Sequence, residues 1–292
     1  MSEPVVLVNP GSGTGSEIDE LAAIFPGCRI QSCPPDELAA CVRSEIDAGA
    51  PFVGVAGGDG TLRTAAEALV ESDVALLPVP AGTRNHFAKD FGIESLEDAG
   101  AAAQAGDERA IDLGRVNGRF FLNNSSIGAY PRMVELREEH GERWPKRIAN
   151  VIAAWQQLRH GHRLRVVVDG ERFVAWLVFV GNGRYGESLR DVTTREALDG
   201  NVLDVRVVHA DRRLARLRLV LATLFGRLAR TPTMTRRECR RLTIAVPSHP
   251  KIAVALDGEV VRLETPLEYE SRAGALRVLT GQAGASSSTN SN

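Results

Sequence analysis

The N-terminal third of the chain alternates short apolar runs with stretches of helical periodicity. Four runs have the length and composition of buried strands: residues 5–9, 29–31, 52–56 and 74–79. The helical stretches that separate them begin near residues 16, 36 and 62. Strands that alternate with helices in this way favour a parallel sheet covered by helices on both faces. The sequence therefore predicts an α/β fold for this part, which we place at residues 1–113.

The rest of the chain has a different pattern, in which strands follow one another through two-residue turns. Three such turns stand between apolar runs: Asn117-Gly118, Asp169-Gly170 and Asp257-Gly258. Tight type I′ hairpins prefer these pairs, because both central residues need a positive φ. We therefore expect an antiparallel, β-rich, sandwich-like domain over residues 114–280. Helices near residues 147–159 and 213–230 interrupt it, and the small polar residues 281–292 predict a disordered tail.

A glycine-rich loop follows three of the predicted strands. The loops cover residues 9–15, 57–61 and 80–88. Because the carboxyl ends of parallel strands meet at one edge of a sheet, we expect the loops to converge there, where open α/β folds bind ligands. Glycines let backbone N–H groups approach an anion closely, and the following helix adds its partial positive charge. Any single loop fits a tight strand–helix turn equally well, so it is the convergence that favours a phosphate site.

The basic residues are almost all arginine, which limits the kinds of phosphate site that the loops can form. Only three of the 35 basic residues are lysines, and none directly follows a glycine. This excludes a Walker A loop and argues against lysine Schiff-base chemistry. A loop without lysine must balance phosphate charge differently, and Asp59, through Mg²⁺, suits that role. In the alternative, Asp59-Gly60 is an ordinary turn and Thr61 caps the next helix. Arg63 either meets a phosphate or faces solvent.

The formal net charge of −2 hides a polarised distribution. Residues 1–60 contain two arginines and nine acidic residues, whereas residues 211–241 contain ten arginines and two acidic residues. The near-neutral total argues against a protein that coats nucleic acid. The arginines and the leucine stripe of the predicted helix 213–230 suit an anionic membrane surface. A helix packed on the β-rich domain with a solvated arginine face explains the same pattern, and we favour it.

Cysteine usage and the N-terminal sequence bear on the cellular compartment. The four cysteines form no CxxC pair, and without a histidine partner we expect free thiols in a reducing cytoplasm. The N-terminus has no basic start with a long apolar run, and no segment reaches about 18 uninterrupted apolar residues. We therefore expect a cytoplasmic protein.

Eight segments of the chain form an ordered set of motifs. They are NPGSG, GGDGT, PAGTRNHFA, IDLG, FLNNSSIGAY, VFVGNGRYG, ALDGNVLDV and LDGE, which span about residues 5–280. In order and spacing the set resembles the diacylglycerol kinase catalytic-domain family, which includes bacterial soluble lipid kinases and is related to NAD kinases and phosphofructokinases. The resemblance implies a nucleotide-binding α/β domain, a β-rich second domain and an active site in the cleft between them.

The resemblance also implies roles for individual residues. It assigns contacts with ATP to Asn9, Gly57, Gly58, Asp59, Gly60, Thr61, Gly82, Thr83 and Asn85. It assigns the Mg²⁺ and water network to Asp59 and Asp112, and the general base that accepts a hydroxyl proton to Asp257. Spacing alone does not distinguish Asp257 from Asp169, because both stand in Asp-Gly hairpin turns.

The implied activity is transfer of the γ-phosphate of ATP to a hydroxyl of diacylglycerol or a related lipid, in phospholipid biosynthesis. Implied with it are transient contact with the inner membrane face and a homodimer. Two alternatives stay open: a kinase of a soluble metabolite, with the β-rich domain reshaped for a polar acceptor, and a nucleotide- or lipid-binding regulator without catalysis. Two departures from the family pattern motivate the regulator: His86 stands where many members have aspartate, and Gly200 where the aspartate of an accessory metal site usually lies. The intact GGDGT and LDGE motifs argue against it.

Overall fold

The structure, a computed structural model, describes residues 3–9, 18–82, 85–128, 163–186, 200–210 and 234–281. The predicted helices near residues 147–159 and 213–230, and the predicted tail from residue 282, lie outside the described residues. The chain divides into two compact units, one of residues 1–111 with 274–292 and one of residues 112–273. No helix in the described parts has the length and apolar character that crossing a bilayer requires.

The first unit alternates strands and helices as the sequence predicts. In chain order its elements are β1 (Val5–Val8), α1 (Ile18–Ile24), β2 (Arg29–Ser32), α2 (Leu38–Asp47), β3 (Phe52–Gly57), α3 (Asp59–Leu69), β4 (Ala75–Pro80), α4 (His86–Asp90) and α5 (Leu96–Ala105). The four predicted strands and three predicted helices are confirmed. Helix α4 forms within the third glycine-rich loop, where the sequence indicated none.

The strands of the first unit form a parallel sheet in the order β2–β1–β3–β4. Strands β3 and β4 are buried along their whole length, as parallel strands covered on both faces are. Because β1 lies between β2 and β3, the strand order reverses at β1. The loops after β1 and β3 therefore start at the switch point of the sheet, where doubly wound folds bind their ligands.

The second unit consists of antiparallel strands. In chain order they are β5 (Glu108–Val116, which begins in the first unit), β6 (Arg119–Phe121), β7 (Asn124–Gly128), β8 (Leu164–Val168), β9 (Glu171–Asn182), β10 (Leu203–His209), β11 (Met234–Cys239), β12 (Arg241–Ala245), β13 (Lys251–Leu256), β14 (Glu259–Glu264) and β15 (Leu267–Leu279). Strand β9 is central, because it pairs antiparallel with β7, β8 and β10. One hydrophobic core collects side chains from most of the strands, among them Val166, Val178, Val205 and Val254. The predicted antiparallel β-rich part is confirmed.

The three predicted hairpin turns have the expected backbone. The first turn residue has a φ of 44° in Asn117, 47° in Asp169 and 49° in Asp257. The glycine that follows has a φ of 84°, 86° and 94° in the same order. These paired positive φ angles are those of type I′ turns.

The end of the β-rich sequence differs from the sequence-based division. Strand β15 is continuous through this region, and its Val278 pairs in parallel with Leu76 of β4. Beyond β15, the Gly281 N–H donates to the carbonyl oxygen of Phe91 at 2.9 Å. Residues 274–281 therefore belong to the first unit. The sequence-based division places residues 274–280 in the second domain, which it ends at residue 280.

Two of the four cysteines are joined, which corrects the expectation of free thiols. Cys33, directly after β2, forms a disulfide with Cys41 of α2. Cys28 and Cys239 are free, and burial raises the pKa of each thiol. Spacing did not reveal the pair, because seven residues separate the two cysteines and only the turn from β2 into α2 brings them together.

Candidate functional site

The second glycine-rich loop makes a tight passage from β3 into α3. The backbone at Gly58 is extended, and the helix begins at Asp59, so the first turn of α3 carries a carboxylate. A Cβ on Gly57 would lie 2.5 Å from the Cβ of Thr61, so the loop folds back onto its own helix. Thr61 lies inside the first turn and Gly58 takes the N-cap position, so the alternative in which Thr61 caps the helix is wrong.

The third loop packs directly against the second. A Cβ on Gly82 would lie only 2.7 Å from the Cα of Gly58, so the two backbones are in contact. Asn85 closes the third loop, because its Oδ1 accepts the Gly82 N–H at 2.9 Å and its Nδ2 donates to the Gly82 carbonyl at 2.8 Å. Asp59 ties the loops together, since its Oδ1 accepts the Phe87 N–H of α4 at 3.0 Å.

The end of β1 lies beside the second loop. Strand β1 pairs in parallel with β3, with Val8 opposite Ala56, so Asn9 follows its strand next to Gly57. The structure thus brings together all the predicted nucleotide contacts in the described residues, namely Asn9, the stretch 57–61, Gly82 and Asn85. Thr83 and the rest of the first loop lie outside the described residues.

Arg63 does not face solvent, which removes one of its two alternatives. It lies on α3, its side chain is 8% exposed, and its Nη1 contacts the Glu67 carboxylate one helical turn later at 2.9 Å. An ion pair at this i,i+4 spacing is a common element of helix stability.

The acidic residues assigned to Mg²⁺ lie in different units. Asp59 stands at the glycine-rich loops, and a single carboxylate together with substrate phosphates is a usual protein contribution to an Mg²⁺ site, so Asp59 fits this ion. Asp112 is buried in the second unit, where its Oδ2 accepts the backbone N–H of Asn201. Within the part of the chain that the structure describes, no three His, Cys, Asp or Glu side chains gather as a metal site.

Asp257 is held by an unusual number of backbone donors. Its Oδ2 accepts the N–H of Leu122 at 2.7 Å, and its Oδ1 accepts those of Asn123 at 2.7 Å and Asn124 at 2.9 Å. The Asp257 N–H donates in return to the carbonyl oxygen of Asn124 at 2.9 Å. A carboxylate held at both oxygens by rigid backbone has a defined orientation, which is what a group that must meet a substrate hydroxyl requires.

Asp169, the near copy in sequence, has a simpler environment. One backbone N–H, that of Thr243, reaches its Oδ1 at 2.8 Å, and Arg237 lies 3.7 Å from its Oδ2. The contacts therefore distinguish two Asp-Gly turns that spacing could not.

Two further residues, Asn182 and Tyr185, contact the backbone segment that donates to Asp257, and the sequence alone assigned them no role. The buried Asn182 donates through Nδ2 to the carbonyl oxygen of Leu122 at 3.0 Å. Tyr185 donates through its hydroxyl to the carbonyl oxygen of Asn123 at 2.6 Å. Both lie in VFVGNGRYG, a motif that carried part of the resemblance without a function for its members.

Comparison with known proteins matches both units. The family model of the diacylglycerol kinase catalytic domain matches residues 3–116, and that of the YegS C-terminal NAD kinase beta sandwich-like domain matches residues 131–280. The chain is 30% identical over 260 residues to the "Probable lipid kinase YegS-like" of Pseudomonas fluorescens, and the alignment covers 81% of this chain and 80% of that protein. It is 32% identical over 256 residues to a diacylglycerol kinase of Mycobacterium tuberculosis, covering 83% of this chain and 79% of that protein.

A solved structure supports the fold. The crystal structure of a diacylglycerol kinase from Bacillus anthracis superposes with a TM-score of 0.68 over 96% of this chain and 97% of that chain. The two sequences are 20% identical, so the likeness bears on the fold alone.

Proposed function

Since the chain belongs to the diacylglycerol kinase catalytic-domain family, we propose that it is an ATP-dependent lipid kinase, which transfers the γ-phosphate to a hydroxyl of diacylglycerol or a related lipid. The observation that carries the proposal is the Asp257 carboxylate, which three consecutive backbone N–H groups hold in one orientation. Phosphoryl transfer to an alcohol needs such a positioned carboxylate, and little further covalent chemistry from the protein.

On the nucleotide side, the proposal relies on backbone and not on lysine. The N–H groups of the loop at residues 57–61, at the start of α3, would cradle the phosphates, and Gly82 would let the third loop approach them closely, while Asn9, Thr83 and Asn85 contact the nucleotide. Asp59 would hold Mg²⁺, which, when bound, neutralises phosphate charge. The close contact between Gly58 and Gly82 supports a backbone phosphate site, because neither residue has a side chain that would keep a phosphate away from the two loops.

On the acceptor side, Asp257 is the proposed general base. Its carboxylate would accept the proton of the lipid hydroxyl as the oxygen forms its bond to phosphorus. The backbone donors at residues 122–124 fix the direction from which it can do so. Asp112 would contribute to the surrounding water and Mg²⁺ network, and Asp169 is a turn residue in this proposal.

The partners of the protein follow from this activity. A lipid acceptor requires transient contact with a membrane surface, so we propose a cytoplasmic protein that works peripherally at the inner face, in phospholipid biosynthesis. A homodimer is proposed with it, and no nucleic-acid partner.

The test is transfer of label from γ-phosphate-labelled ATP to extracted lipids, with Mg²⁺ present. We expect label in the organic phase, and loss of it in Asp257→Asn with the protein still folded by circular dichroism. Asp169→Asn is the matched control, because it makes the same chemical change in a turn of the same type, and it should keep the activity. Label in an aqueous product would identify a soluble acceptor, and ATP binding without transfer would identify a regulator.

A further inference from the structure

A group of three charged residues, of which Asp204 and Arg206 are buried and Arg236 is partly buried, contacts the backbone of Tyr185. We call it the Asp204 cluster: Asp204 of β10, Arg206 of β10 and Arg236 of β11. The Asp204 side chain is 0% exposed, and it contacts Arg206 Nη2 at 2.7 Å and Arg236 Nε at 3.1 Å. The two arginines thus compensate the buried Asp204 carboxylate, Arg236 also contacts the exposed Glu238 carboxylate at 3.3 Å, and both arginines donate to backbone as well.

The Asp204 cluster holds the segment that follows β9. Arg206 Nη2 donates to the carbonyl oxygens of Tyr185 at 2.8 Å and Gly186 at 3.1 Å, and Arg236 Nη2 donates to that of Tyr185 at 3.2 Å. The Tyr185 N–H donates to Asp204 Oδ2 at 3.3 Å. The cluster therefore fixes the backbone of Tyr185 at both its N–H and its carbonyl.

The Tyr185 ring is fixed as well. It packs over Gly181, where a Cβ would come within 2.4 Å of the ring, and against Phe179 edge to face with ring centroids 5.4 Å apart. The side chain is 3% exposed. With backbone and ring both held, the hydroxyl has a defined position, from which it donates to the Asn123 carbonyl at 2.6 Å.

Two successive peptide groups connect these contacts to Asp257. In the peptide between Asn123 and Asn124, the carbonyl accepts the Tyr185 hydroxyl at 2.6 Å and the Asn182 backbone N–H at 2.8 Å, and the N–H donates to Asp257 Oδ1. In the preceding peptide, the Leu122 carbonyl accepts Asn182 Nδ2 and the Asn123 N–H donates to the same Oδ1. Because a peptide group is planar and trans, fixing its carbonyl fixes the direction of its N–H.

We propose that Tyr185 is a positioning residue for Asp257: anchored by the Asp204 cluster, its hydroxyl acts with the Asn182 backbone N–H to fix the peptide plane that aims the Asn124 N–H at the carboxylate. The consequence for the reaction rests on the proposed function, in which Asp257 is the base. If the Asn124 N–H is no longer fixed in direction, the Asp257 carboxylate spends less time aligned with the substrate hydroxyl. The rate of transfer then falls, while nucleotide binding is unaffected.

The test replaces Tyr185 by phenylalanine, which removes the hydroxyl and keeps the ring. Tyr269→Phe is the matched control, because it removes another buried hydroxyl of the same unit, one that pairs with Ser125 Oγ at 2.9 Å. For Tyr185→Phe we expect kcat for lipid phosphorylation to fall about ten-fold with the KM for ATP unchanged within about two-fold. For Tyr269→Phe we expect kcat to stay within about two-fold of the wild type.

A second measurement does not depend on activity. Amide hydrogen exchange at residues 122–124 should be about ten-fold faster in Tyr185→Phe than in Tyr269→Phe, when the two variants are compared at equal unfolding free energy. Exchange in Tyr185→Phe that is no faster than in the control, or a kcat equal to that of the control, overturns the inference. If the wild type transfers no phosphate to lipid, the proposed function fails, and the exchange rates alone then decide whether Tyr185 positions Asp257.

Discussion

Replacing Asp257 by asparagine should destabilise the second unit as well as remove a base. The carboxylate offers two oxygens to three backbone N–H groups, whereas an amide offers one oxygen. In its better orientation the amide oxygen keeps the donors Asn123 and Asn124, and the amide nitrogen then points its own hydrogens at the Leu122 N–H. One charge-assisted hydrogen bond is lost and two donors face each other.

The size of the loss follows from these contacts. A hydrogen bond to a charged group contributes about 1.5–3 kcal/mol, and a buried donor without an acceptor adds a comparable cost, so we expect Asp257→Asn to lower the free energy of unfolding by about 2–4 kcal/mol. Asp169→Asn keeps an oxygen for its single donor, Thr243, and its contact with Arg237 is long and half-exposed. We expect that control to lose less than about 1 kcal/mol.

Urea denaturation followed by tryptophan fluorescence measures the difference. All three tryptophans lie between residues 112 and 273 in the sequence, so their emission reports on the second unit. We expect a clearly lower midpoint for Asp257→Asn and a midpoint near that of the wild type for Asp169→Asn. Equal midpoints for the two variants would refute the reasoning, because they would mean that the three donors contribute nothing. Activity of Asp257→Asn is therefore informative only at temperatures and urea concentrations where it is folded.

Three other substitutions test separate parts of the structure. Gly82→Ala forces a Cβ against Gly58, and we expect a loss of about 1–3 kcal/mol in unfolding free energy with a Kd for ATP raised at least about ten-fold by calorimetry. Asp98→Asn removes the negative charge of the capping box at the start of α5, while its amide oxygen can still accept the Glu94 and Ser95 N–H groups, and should cost about 0.3–1 kcal/mol at pH 7. The hydrogen bond from the Glu94 N–H, with those from Ser95, lowers the pKa of Asp98. The stabilisation by its charge is therefore complete above the ordinary pKa of an aspartate and is lost as the pH falls through the pKa of the folded state. Urea melts at acid pH should show no difference between Asp98→Asn and the wild type. Tyr269→Phe should cost about 1–3 kcal/mol by leaving the Ser125 hydroxyl buried without its partner, and adding Ser125→Ala should recover most of that loss in a double-mutant cycle.

The elements of the first unit could be predicted because their signals are local. Runs such as residues 52–57 are apolar throughout, which parallel strands buried on both faces require. Contacts between loops have no such signal. Gly58 and Gly82 are each typical of a tight turn, and only the alignment of β3 beside β4 reveals that their backbones touch. The same limit applies to Cys33 and Cys41, which the turn between β2 and α2 brings together.

The two Asp-Gly turns of the second unit show where sequence reasoning ends and tertiary structure begins. Asp169 and Asp257 share a residue pair, a backbone conformation and a place between two strands, so no local pattern separates them. What separates them is the strand that lies alongside. Asp169 meets Thr243, 74 residues away, in regular β12, which offers one N–H, whereas Asp257 meets residues 122–124, at least 133 positions away, just before and at the start of β7. There three successive backbone N–H groups point toward one carboxylate. The carbonyl oxygens of the same segment accept hydrogen bonds from the side chains of Asn182 and Tyr185. A turn of common type acquires a specific chemical role from the irregular segment that it faces, so the role persists only where the carboxylate and that segment are both kept.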